Sequence, residues 1–139
     1  MTEKRKLRAG TLGAIALALG GLAPAASADV AICAAEQAIS CSPYEPCSRS
    51  LPGAVSLPIL MKIDSEASEI VGVGVSGDAR SSAITSFVET DASQLIHGAD
   101  TDRAWVMQID KATGRFTGTV AGSGVGFVVF GECSWEVME

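Results

Sequence analysis

The stretch Arg103-Ala104-Trp105-Val106-Met107-Gln108-Ile109-Asp110-Lys111-Ala112-Thr113-Gly114-Arg115-Phe116-Thr117-Gly118-Thr119-Val120 alternates in character on both sides of a turn. Trp105, Met107 and Ile109 point one way, and Ala104, Val106, Gln108 and Asp110 the other. After the turn, Phe116, Gly118 and Val120 face inward, while Arg115, Thr117 and Thr119 face outward. A period of two is the mark of a half-buried strand, because successive side chains leave opposite faces of the pleat. Asp110-Lys111-Ala112-Thr113-Gly114 reads as the hairpin turn, with Gly114 able to adopt positive φ. Two such strands joined by so short a link pair antiparallel.

The same grammar extends in both directions. Leu57, Ile59, Met61 and Ile63 alternate with Pro58, Leu60, Lys62 and Asp64, and Pro58 suits an edge or a strand start. Glu69 to Val75 places Val71, Val73 and Val75 on one face, and Ser76-Gly77-Asp78 turns the chain. Ala83 to Glu89 and Ser93 to His97 supply two more strands, the latter closed by Gly98. Gly122-Ser123-Gly124 turns again, and Val125 to Phe130 is apolar enough to be expected as a strand covered on both faces. Strand centres recur about every 10–13 residues with no sustained helical period. The predicted fold is all-β, an antiparallel meander of seven or eight short strands. It forms a strongly twisted sheet or a small closed barrel, and closure would hide the sheet edges.

Residues 1–28 read as a secretory signal peptide. Lys4, Arg5, Lys6 and Arg8 precede an uncharged run from Ala9 to Ala25, and Ala26-Ser27-Ala28 forms a small-x-small cleavage site. The run falls short of the ~20 apolar residues of a spanning helix. No cysteine stands at the cleavage point for lipidation, and no adjacent arginines mark a twin-arginine route. The mature chain, residues 29–139, is expected as one periplasmic or secreted domain with no membrane association. Within it, 29–56 form a cysteine-bearing first strand and loop, with room for a helical turn at Ala34 to Ile39, and 57–139 form the meander. The signal holds four of the ten basic residues and one of the sixteen acidic ones, which leaves six and fifteen and a formal net charge of −9. Such a charge repels nucleic acid and anionic membranes.

All four cysteines lie in this part, spaced by 8, 6 and 86 residues. An even count in an oxidising compartment indicates two disulfides. Zinc wants close ligand pairs, which are absent, so no metal is expected. Cys33–Cys133 with Cys41–Cys47 is the preferred pairing, because it ties the ends of the meander together. Cys33–Cys47 with Cys41–Cys133 remains open on spacing alone.

Chemistry-bearing motifs are few. Gly72-Val73-Gly74-Val75-Ser76-Gly77 matches the dinucleotide pattern but lies in a strand, without the helix that would hold a pyrophosphate, so no cofactor is expected. His97, the only histidine, is the sole base for a nucleophilic triad, with Asp91 and Asp100 flanking it and no nucleophile elbow present. Asp91, Asp100, Asp102 and Asp110 are best read as solvated turn residues, although Asp100-Thr101-Asp102 starts like a calcium loop. Trp105, Phe116 and Phe127 fit a core stripe. Tyr44 and Trp135, near the cysteines in expected loops, are candidate anchors for a partner, with Asp100 and Asp102 beside them as charged contacts.

Trp105-Val106-Met107-Gln108-Ile109-Asp110, Thr113-Gly114-Arg115-Phe116-Thr117 and Gly126-Phe127-Val128-Val129-Phe130-Gly131-Glu132-Cys133, taken with Cys33, Cys41 and Cys47, resemble a group of small exported bacterial β-proteins of unknown function. A looser likeness, in architecture alone, is to periplasmic inhibitors of c-type lysozyme. Neither likeness carries over a catalytic residue. Three functions follow as expectations. The first is a non-enzymatic binding or inhibitory module of the envelope, whose acidic surface meets a basic protein such as lysozyme. The second is a small hydrolase using His97. The third is a small-molecule carrier, which requires that Trp105, Met107 and Phe127 leave the interior unfilled.

Overall fold

The computed structural model describes residues 30–136, so the signal peptide expected over 1–28 lies outside the described residues. Nine strands follow one another: β1 Val30–Ser42, β2 Glu45–Ser50, β3 Leu60–Asp64, β4 Glu69–Val73, β5 Ala79–Glu89, β6 Ser93–Ala99, β7 Ala104–Asp110, β8 Arg115–Gly122 and β9 Val125–Glu136. A single 3-10 turn, Pro52–Val55, sits between β2 and β3. The strands pair antiparallel in the order β2-β1-β3-β4-β5-β6-β7-β8-β9, and β1 also pairs with β9. Eight strands thus close on themselves, and β2 is an extra strand on β1. The structure is all-β and a closed barrel.

The hairpin read first from sequence is present as β7 and β8, with Ile109 opposite Phe116 and Trp105 opposite Val120. Asp110 Oδ1 accepts from the backbone N–H groups of Ala112 and Thr113 at 3.0 and 2.9 Å, an Asx turn that Gly114 completes at φ 74°. Those bonds, the Thr113 backbone bond foremost, hold the Asp110 carboxyl below its ordinary value.

The N-terminal stretch departs from expectation. Residues 34–39 are strand rather than a helical turn, because Ala34 to Cys41 pair with β9 from Glu132 to Gly126. Ala-rich sequence favours helix only weakly, and a long ladder outweighs that preference. Nor is the rest of 29–56 mainly loop, since β2 folds back on β1 through the turn holding Tyr44. The strand count is therefore nine, with eight in the barrel. Both disulfides form, Cys33–Cys133 and Cys41–Cys47. The first joins directly opposed residues of the two strands that close the barrel.

β9 runs to Glu136, and it is not covered on both faces as its apolar run suggested. Val129 and Cys133 are buried, whereas Phe130 is 37% exposed. A single-walled barrel has one dry face only, so the alternate residues of even an apolar strand meet water. Trp135 also belongs to β9 and packs against the core opposite Ala31, rather than standing exposed in a loop. β4 likewise turns Ile70 and Gly72 inward and leaves Val71 and Val73 outward.

The core gathers at one level of the barrel. Ile63, Ile96 and Ile109 are fully buried, with Met61, Ile70, Ile84, Met107, Phe116 and Val129 around them. Full burial of one such side chain stabilises by roughly 1.5–3 kcal/mol. One end, carrying the turns β3–β4, β5–β6 and β7–β8, is closed by Trp135 and by Lys111, whose Nζ lies 2.7 Å from Glu89 and 3.1 Å from the Thr90 carbonyl. The Lys111 bond draws the Glu89 carboxyl below its usual range.

Candidate ligand-binding site

The other end is open. There β3 pairs only with the first part of β1, from Val30 to Ala34, while β2 takes the later part from Ala38. The stretch between them is covered by the 3-10 turn and by Leu57 to Ile59. Backbone bonds fix this cover: Ala35 N–H donates to the Ile59 carbonyl and Ile59 N–H to the Val73 carbonyl, both at 2.9 Å. A cavity of about 700 Å³ runs from the mouth down to the core.

Its lower wall is apolar, with Met61, Ile70, Met107, Phe116 and Val129 as the floor and Leu57, Trp105 and Val120 above them. Its rim is polar and comes from the β4–β5 and β6–β7 turns and the start of β5, with Asp78, Arg80, Asp100, Asp102 and Arg103 in the lining. Room inside arises partly from glycine at an inward position. An ideal Cβ on Gly118 would lie 3.6 Å or more from its nearest neighbours, so this position is small without being crowded. Gly98 is different, since a Cβ there would overlap the Trp105 indole. Gly98 therefore lets Trp105 lie flat against β6 and leave the channel clear, a role that Gly98 as a strand stop did not suggest.

A hydrogen-bond chain fixes that wall. Trp105 Nε1 donates to Ser82 Oγ at 2.9 Å, and Ser82 Oγ donates to Asp100 Oδ1 at 2.6 Å. The indole edge and one carboxylate oxygen are thus satisfied within the protein, which holds Trp105 as a rigid face for an apolar guest. Trp105 belongs to the inward stripe, as its spacing implied, yet part of its surface faces empty space.

The residues singled out from sequence do not form one site. Asp100 and Asp102 stand on the rim of the cavity, whereas Asp91, in the β5–β6 turn, and Asp110, at the end of β7, lie at the closed end. Tyr44, 95% exposed, tips the β1–β2 hairpin at the open end but does not line the cavity, and Trp135 is at the opposite end. His97 is exposed on the outer face of β6, with Ser86 and Val106 beside it on the neighbouring strands. Among the described residues its imidazole has no hydrogen-bond partner; only its backbone carbonyl accepts a bond, from Thr85 Oγ1. Gly72 to Gly77 form the end of β4 and its turn into β5, with no helix after them. Among the described residues no group of three or more His, Cys, Asp or Glu is placed to hold a metal ion. No helix there is long and apolar enough to cross a membrane. Arg80, Ser82 and Arg103 went unnoticed as site residues. Arg80 and Ser82 lie in the first half of β5, ahead of Ala83, where the sequence pattern begins that strand.

Compared with known protein families, with curated proteins and with solved structures, the chain matches none.

Proposed function

We propose that the mature chain is an exported, non-enzymatic carrier that holds one small, largely apolar molecule inside its barrel. The cavity is the observation that carries this. Protein interiors are packed to crystal density, with few voids larger than a water molecule. A hollow of about 700 Å³ that opens at the mouth and ends on a packed floor has the form of a ligand pocket. Ligand pockets typically span ~300–1,000 Å³, and eight strands are the number at which a barrel either fills with side chains or holds one small ligand. The disulfides support a location where thiols oxidise.

The test is a titration of the mature chain with the neutral dye N-phenyl-1-naphthylamine, whose fluorescence rises in apolar surroundings. One saturable site per chain is the expected result. Gly118→Phe, which puts a ring into the cavity, will weaken binding at least tenfold. Thr117→Phe, on the outer face of the same strand, will leave it unchanged. Equal binding by both variants would place the dye elsewhere and remove the proposal.

A second reading keeps the barrel as a module for a basic protein partner such as lysozyme. Tyr44 favours it, because the ring projects 95% exposed from a hairpin clasped by Cys41–Cys47, at the same end as Asp100 and Asp102. Such a partner would dock on the outside of the open end and would not need the interior.

A further inference from the structure

We propose that the ligand is an amphipathic monoanion, which buries an apolar body in the barrel and leaves a carboxylate or sulfonate at the mouth between Arg80 and Arg103; this rests on the carrier reading above.

Arg80 is opposite Gly72 in the β4–β5 ladder, two residues before Ser82, and so belongs to the inward row of its strand. Arg103 lines the same mouth two residues before Trp105. Among the described residues neither guanidinium makes a hydrogen bond or an ion pair. The charged groups around them are differently placed. Asp100 accepts the Ser82 hydroxyl at 2.6 Å, and Asp78 accepts the Ser76 hydroxyl at 2.7 Å. Elsewhere on the barrel, Lys111 pairs with Glu89 and Arg115 lies 3.8 Å from Glu132.

A guanidinium presents five N–H donors in a fixed fork and no acceptor. Two free forks at the lip of an apolar channel call for a planar group rich in acceptors, which a carboxylate or sulfonate supplies in bidentate geometry. A neutral or cationic head would leave those donors to water, and Asp100 and Asp78 already accept hydroxyls of the chain itself. The charge count of the rim limits the head further. Three aspartates and two arginines give the rim a net charge of −1, so only the two guanidiniums themselves can hold an anion, and a second negative charge on the head would add repulsion from the aspartates; a single one fits best. The net charge of the mature chain opposes any anion at long range, and specificity for one must therefore be local.

Two dyes sharing a naphthylamine frame separate the contributions. 1-Anilinonaphthalene-8-sulfonate carries a sulfonate, and N-phenyl-1-naphthylamine does not. The mature chain is expected to bind the sulfonate dye at least tenfold tighter than the neutral one. Arg80→Gln and Arg103→Gln will each lower that ratio about threefold, and the double variant will bring it to one or below. Arg115→Gln, outside the cavity, will keep the full ratio. Neutral-dye binding with no sulfonate preference, or a preference that survives in the double variant, overturns this inference and leaves the carrier standing. Binding of neither dye removes the carrier reading, and this inference with it.

Discussion

Replacing Cys33 and Cys133 together by alanine will lower the unfolding free energy by about 4–5 kcal/mol, roughly twice the loss for replacing Cys41 and Cys47. The difference comes from the unfolded chain. The first bridge spans 100 residues and the second 6. Loop-closure entropy grows with the logarithm of that span, so the long bridge withholds more freedom from the unfolded state. The native state adds to the effect, since Cys33 is completely buried and its partner sits directly across the seam between the first and last strands. A domain of this size has a total stability of only ~5–15 kcal/mol, so the variant will be marginal at best. Urea unfolding under non-oxidising, non-reducing conditions measures both variants on one scale. A loss no larger for the Cys33/Cys133 pair than for the Cys41/Cys47 pair would contradict the assigned role of the long bridge.

Phe116→Ala will cost about 3–5 kcal/mol, the range for removing a buried aromatic ring. Phe116 is 2% exposed, and it lies across β9 at Gly131, where an ideal Cβ would fall 2.6 Å from Phe116 Cε1. The ring has taken the volume that a side chain at 131 would occupy. Neighbouring strands are held by ladders on both sides, so they cannot close over the space when the ring is removed. The new void will join the cavity above it. Thermal or denaturant unfolding tests the value, and a loss below about 1 kcal/mol would show that the ring does not support the floor.

Much of the wall was legible because each β7 and β8 residue declares its face locally. Trp105, Met107 and Ile109, then Phe116 and Gly118, alternate without interruption, and Gly114 marks the one position where the turn needs positive φ. The middle of β1 was opaque for the opposite reason. Ala34, Ala35, Glu36, Gln37 and Ala38 carry no β signal of their own, and only the ladder to β9 makes them strand. Closure is a contact between sequence ends, and the cysteines alone hinted at it.

The site was less legible than the fold. A glycine in a strand signals either close packing, as at Gly98 against Trp105, or spare room, as at Gly118, and the letter is the same. Whether apolar inward residues fill a barrel depends on summed volume and strand tilt, which local patterns do not encode. Arg80 and Ser82 were hidden because the polar run Arg80-Ser81-Ser82 at the start of β5 carries no strand signal of its own. Trp135 misled because nearness to Cys133 suggested a loop, whereas β9 continues past it.

β1 and β9 join to close the barrel around its cavity. Nuclear Overhauser spectroscopy on the oxidised, isotope-labelled mature chain reads that seam residue by residue. The register predicts backbone contacts between Ala38 and Val129 and between Ile32 and Ser134. Finding β1 in contact with β2 and β3 alone, with β9 bonded only to β8, would mean an open sheet, and the cavity would go with it.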